Sequence, residues 1–107
     1  RQLARDANGA MTSLAAGLRA AGLGGSFLAE PQANMLFVRW PRRLHAALRE
    51  AGAVYYVMDG PLEGDPEALL TGRLVCDWAT GPEAVGAFLT ALSAALEQTP
   101  APARAAP

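Results

Sequence analysis

Three short runs of β-branched, aromatic and apolar residues constrain the fold more than anything else in this chain. They read NMLFVRW (34–40), VYYVM (54–58) and GRLVCDW (72–78). Such residues suit strands because their side chains pack well on a pleated, half-buried surface. A helix-length stretch separates the first run from the second. Only a loop rich in Gly and Pro, Asp59 to Gly72, separates the second from the third. A connection without a crossover helix joins antiparallel neighbours, so runs two and three are expected to pair that way. In the first run Met35, Phe37 and Arg39 share one face, and Leu36, Val38 and Trp40 share the other. Apolar residues on both faces predict a strand covered on both sides.

The helical segments show a different period. Leu3, Ala7, Ala10, Met11, Leu14, Leu18 and Ala21 recur at spacings of three and four, which predicts a helix over about 2–21. Gly22 closes it and Gly24-Gly25 turn the chain. Ser26 to Ala29 reads as a short edge strand that ends at Glu30-Pro31, because proline cannot donate to a ladder. Pro41 suits the first turn of a second helix, whose stripe is Leu44, Ala47, Leu48 and Ala51 and whose stop is Gly52. Thr80-Gly81-Pro82-Glu83 reads as a capping box before a last helix that carries Val85, Phe88, Leu89, Leu92 and Leu96 on one face. The expected architecture is a two-layer α+β domain, a small, mostly antiparallel sheet of three or four strands covered by three helices.

Composition narrows the function classes. The 107 residues suffice for one domain, and 51% hydrophobic with 18% charged residues is a globular composition. A net charge of −1 argues against a nucleic-acid partner held through phosphates. No apolar run approaches the roughly 20 residues that span a bilayer, and no secretory leader is visible. A single cysteine, Cys76, excludes an internal disulfide, and His45 is the single histidine. All 9 basic residues are arginines, so the chain offers no lysine amine for Schiff-base chemistry. The opening Arg1-Gln2-Leu3 has no capping residue, and a longer helix in a longer protein is expected to precede it. Residues 98–107, a Pro/Ala tail without large apolar side chains, are expected to be disordered, which leaves residues 1–97 as the domain.

Most candidate chemical residues have ordinary structural readings. His45 lies at the edge of its helix stripe and reads as a surface residue. Cys76, mid-strand and without a basic neighbour, reads as a small buried filler. Tyr55 and Tyr56 alternate, so one belongs to the core and the other faces outward toward a partner. Trp40 and Trp78 read as packing residues at strand ends, and Asn34 as a hydrogen bonder between turn and strand. Arg39, Arg42 and Arg43 read as a solvated helix start. Taken alone, Arg73 is a surface strand arginine with Asp59 or Asp77 as ion-pair partner. Asp77 shares its face, but on a straight strand stands about 13 Å away.

The segments EPQANMLFVRWP, LREAGAVYYVM and GRLVCDWATGPEAVGAFLTAL, in this order and spacing, resemble the C-terminal small domain of low-specificity L-threonine aldolases. These are pyridoxal 5′-phosphate (PLP) enzymes of the fold-type-I aspartate-aminotransferase superfamily, within its beta-eliminating lyase group. The resemblance covers about residues 2–96. It implies that a large N-terminal domain before Arg1 binds PLP and supplies the Schiff-base lysine, while this domain closes one side of the active site. It further implies that Arg73, which opens the R-L-V-x-x-W pattern, binds the substrate α-carboxylate. A guanidinium fork grips a carboxylate bidentately. Holding it would fix which Cα bond faces the cofactor and so direct cleavage of L-threonine or L-allo-threonine to glycine and an aldehyde.

The same resemblance implies a cytoplasmic homo-oligomer, dimer or tetramer, with an amino-acid substrate and no nucleic-acid or membrane partner. The chain departs from the family pattern where it reads Asp77-Trp78-Ala79-Thr80-Gly81 in place of the common S-W-D-T-T, and in its longer 59–72 loop. An independent α+β binding or dimerisation module is the alternative. A chain without lysine forms no internal aldimine. With its N-terminus acetylated, incubated with PLP and reduced with borohydride, it should show no added pyridoxyl mass.

Overall fold

The computed structural model describes residues 2–77 and 80–99, with side chains from residue 7 onward. Trp78, expected as a packing residue, and residues 1 and 100–107, which include most of the expected tail, lie outside the described residues. The elements are α1 (Gln2–Ala20), a 3-10 turn (Gly24–Ser26), β1 (Met35–Pro41), α2 (Arg42–Glu50), β2 (Tyr56–Val57), β3 (Leu69–Val75) and α3 (Pro82–Gln98). The 3 strands form one antiparallel sheet in the order β1-β3-β2. The architecture is the expected α+β domain of helices packed on a small antiparallel sheet.

Helix ends follow from glycine. Gly22 at φ +86 and Gly52 at φ +104 adopt the left-handed conformation that other residues avoid. Each completes the same double closure. Gly22 N–H donates to Arg19 C=O and Leu23 N–H to Leu18 C=O; Gly52 N–H donates to Arg49 C=O and Ala53 N–H to Leu48 C=O. The apolar partners that accompany such closures, Leu18 with Leu23 and Leu48 with Ala53, are all buried.

The strand pair β1–β3 runs from Met35 opposite Val75 to Pro41 opposite Leu69. Leu36, Val38 and Trp40 of β1, with Leu74 of β3, enter one core with Met11, Leu14 and Leu18 of α1, Leu44 and Leu48 of α2, and Val85, Leu92 and Ala95 of α3. The opposite face behaves differently. Met35 and Phe37 are half-buried, and Arg39, Leu69, Arg73 and Val75 are exposed. The expectation that β1 is covered on both sides is therefore corrected: the helices all lie on one face and the other is open.

Boundaries shifted for local reasons. Residues 26–29 do not form a strand. Ser26 Oγ donates to Leu23 C=O and accepts from Trp40 Nε1, which curls the chain and leaves one bridge, Phe27 to Val38. Pro41 ends β1 and stands before α2, whose helical bonds start at Arg42. The run 54–58 contributes only Tyr56–Val57 to the sheet, and β3 starts at Leu69, three residues before Gly72. The loop is correspondingly shorter. No capping box forms at α3. Thr80 Oγ1 is engaged by Asp77, and Gly81 stands at the cap with Pro82 opening the helix.

Gly72 lies in the core-facing row between Leu70 and Leu74, where a side chain would be expected. The space is filled by two rings: an added Cβ would stand 2.9 Å from Tyr55 Cε2 and 3.0 Å from His45 Cε1. Gly72→Ala should therefore destabilise the chain by about 1–3 kcal/mol. In contrast, Gly86→Ala in α3, where an added Cβ meets nothing within 4 Å, should stabilise it by about 0.5–1 kcal/mol. Urea unfolding of both variants checks the pair of opposite signs.

Candidate functional site

The register carries Arg73 onto the open face. It stands opposite Phe37 on β1 and opposite Tyr56 on β2, in the middle strand of the sheet. Its guanidinium carbon lies 5.4 Å from the centroid of the Tyr56 ring, within the range of a cation–π contact. Large apolar side chains along β2, β3 and their flanks are exposed: Val54 at 90%, Tyr56 at 59%, and also Met58, Leu69 and Val75. Arg73 is thus a cation set among apolar neighbours.

Neither acid expected beside Arg73 forms an ion pair with it. Asp59 Oδ2 accepts from the backbone N–H and the hydroxyl of Thr71, at 3.0 and 2.7 Å. That contact buries Thr71 although it belongs to the open row. Asp77 lies past the end of β3 in a turn, where Thr80 Oγ1 donates to its carboxylate. Among the described residues no carboxylate forms an ion pair with Arg73.

His45 overturns its sequence reading. It is 1% exposed and hydrogen-bonded through both ring nitrogens. Leu70 C=O can only accept, so Nε2 carries the proton and donates to it at 2.8 Å. Nδ1 is then a lone pair and accepts the Tyr55 hydroxyl at 2.6 Å. Trp40 packs on the imidazole at 5.5 Å between ring centroids, and Tyr55 meets Phe88 edge-on at 6.0 Å. Burial pushes the His45 pKa below its ordinary value, against the Leu70 hydrogen bond and the Asp59 charge, which both raise it. Burial pushes the Tyr55 phenol well above its ordinary value, opposed by Arg49. On a helical wheel position 45 lies about 60° beyond Leu48, outside the arc of Leu44, Ala47, Leu48 and Ala51, so the helix pattern alone does not place it in the core.

The arginines at the start of α2 are not a solvated cluster either. Arg42 donates from Nε to Pro61 C=O at 2.9 Å and from Nη1 to Asp65 C=O at 2.7 Å. Arg43 pairs with Glu67 at 2.9 Å and donates to Thr99 Oγ1. Together they fasten the 59–68 loop to α2. Arg39 is exposed on the open face, opposite Thr71. Cys76 is buried, as expected of a filler, and burial, then the nearby Asp77 charge, push its thiol pKa up. Tyr55 and Tyr56 divide as expected, one turned inward and one outward. Asn34 is tied to the strand through its backbone carbonyl, which accepts from Cys76 N–H at 2.9 Å.

A PLP site needs a lysine amine and a cradle for the phosphate. This chain has no lysine, and Arg42 and Arg43 are engaged with the loop. Its own residues therefore do not fit the cofactor. Among the described residues no group of His, Cys, Asp and Glu side chains could hold a metal ion, and no helix is long and apolar enough to cross a membrane. The chain matches no protein-family model, no curated protein and no solved structure.

The His45–Tyr55 bond is open to a direct measurement. Tyr55→Phe removes the donor and leaves Nδ1 buried without a partner. The expected loss of stability is about 1–3 kcal/mol in urea unfolding at neutral pH. A loss within the scatter of surface substitutions, about 0.5 kcal/mol, would count against the bond.

Proposed function

We propose that Arg73 binds a carboxylate, and that this chain is the C-terminal small domain of a threonine-aldolase-like PLP enzyme. The observation that supports the reading is the setting of Arg73. It is exposed on the central strand of the sheet, with the Tyr56 ring against its guanidinium and Phe37 opposite it on β1, and no described carboxylate paired to it. An always-charged planar fork held in this way is suited to a bidentate carboxylate contact. The apolar residues around it suit packing against a preceding domain, which would hold the PLP and supply the lysine. The substrate on this reading is L-threonine, L-allo-threonine or a related β-hydroxy-amino acid, and the whole enzyme is a cytoplasmic homo-oligomer. This chain contributes binding and orientation of the substrate; the bond-breaking chemistry belongs to residues outside it.

The uncovered apolar sheet face also favours a second reading, an α+β binding or dimerisation module without catalysis of its own. Substitution in the full-length polypeptide separates the two. Arg73→Ala should lower kcat/KM for threonine cleavage by about one to two orders of magnitude, the effect of losing a charged hydrogen-bond pair. Arg73→Lys should recover little, since an ammonium does not reproduce the fork. PLP content should stay normal. Unchanged kcat/KM in Arg73→Ala would remove Arg73 from the site, and a full-length polypeptide with no cleavage activity would leave the binding module.

A further inference from the structure

We propose that His45 is an acid-sensitive latch that holds the edge segment Tyr55–Met58 on the sheet. Among the described residues the imidazole alone joins α2, β3 and the segment leading into β2 by side-chain hydrogen bonds: it is carried by α2, donates to Leu70 C=O and accepts from Tyr55 O–H. The edge it secures has little else. β2 pairs with β3 over only Tyr56 and Val57, followed by one bond from Met58 N–H to Thr71 C=O at 2.9 Å. The Thr71 N–H that would answer it is taken by Asp59. Val54, Tyr56 and Met58 are exposed. Tyr55 is therefore the inward anchor of an otherwise thinly held strand.

Protonation acts on that anchor by a simple conflict. A proton from solvent adds to Nδ1, the lone pair to which the Tyr55 hydroxyl donates. Two hydrogens then face each other over 2.6 Å. The hydroxyl has to turn so that its oxygen accepts from Nδ1–H, and its own hydrogen is left pointing among Trp40, Phe88 and Gly72, none of which offers a side-chain acceptor. Moving Tyr55 outward resolves the conflict and also hydrates the imidazolium. The charged groups around the pair are Asp59, which favours imidazolium, and Arg49 of α2, whose Nη2 reaches the Tyr55 carbonyl at 3.4 Å. Arg39 and Arg73 belong to the opposite face of the sheet, and Trp40 of β1, Leu70 of β3 and Phe88 of α3 bring no titratable group.

The direction of the pH effect follows. His45 in the closed state binds its proton less readily than an ordinary histidine, with its pKa near 6.5, so the open state takes up more protons. The closed state is at full strength above about pH 6.5 and weakens as pH falls below it. Opening carries Tyr56 with it and removes the ring against which Arg73 rests, so the latch also bears on the candidate carboxylate site.

Amide hydrogen exchange on the 107-residue chain tests the latch. After division by the intrinsic exchange rate, the opening constant of the Met58 amide should rise between pH 7.5 and 5.5, by up to about tenfold, while that of Leu92 in α3 changes less. His45→Gln should abolish the rise, because a carboxamide donates to Leu70 C=O, accepts from Tyr55 O–H and does not titrate. Equal changes at Met58 and Leu92, no rise in the wild-type chain, or a rise that persists in folded His45→Gln would each overturn the proposal. Whether or not that variant folds, the His45 ring nitrogens in the wild-type chain should titrate below pH 6.5 by NMR, and titration at or above it overturns the latch.

Discussion

The register between β1 and β3 decides what this molecule can present to anything else. Side chains alternate strictly along a strand, so a slip by one residue would exchange the faces of the whole pair. With Phe37 opposite Arg73, the row Leu36, Val38, Trp40 meets Leu70 and Leu74 under the helices, and Arg73 is left in the open. The alternative register would drive a guanidinium into an apolar core, at the cost of burying an unpaired charge. The hydrophobic pattern of β1 and the placement of Arg73 are thus one constraint seen from two sides. Helix packing, the ring stack over Gly72 and the position of the loop all follow from which face the core took.

Much of this was legible because it depends on local chemistry. The stripes of α1, α2 and α3, the closures at Gly22 and Gly52, the existence of the antiparallel sheet and the inward and outward split of Tyr55 and Tyr56 all follow from period and backbone preference. The strand limits were not legible, because pairing partners set them. β3 begins at Leu69 because Pro41, Trp40 and Arg39 continue the ladder there, and β2 is short because Tyr55 is drawn inward and Asp59 occupies the next backbone donor. Thr80 and Ser26 illustrate the same limit. Thr80 is expected as the cap of α3 and is engaged by Asp77 instead, and Ser26 is expected to open an edge strand but is held by Leu23 and Trp40.

The candidate site was legible in part. Arg73 was singled out, and its solvent-facing position is observed; its expected acidic neighbours are engaged elsewhere. From its helix alone His45 reads as a rim residue, because it stands beside the apolar stripe and not within it. What brings it inside is a hydroxyl ten residues along and a missing side chain at Gly72, neither of which a single helix discloses. The cost of burying an imidazole is met when both nitrogens find partners, and here they do.

The grip of Arg42 on the 59–68 loop has a consequence for how this chain can change. Both of its loop bonds end on main-chain carbonyls, those of Pro61 and Asp65, so the clamp recognises the path of the loop rather than its residues. Side chains such as Leu62 and Glu63 can be exchanged without loosening it. Gly64 is the exception, at φ +135 with the Arg42 guanidinium 2.7 Å from where a Cβ would stand. The molecule therefore carries a segment whose shape is inherited from one arginine and one glycine, while its surface chemistry is open to variation.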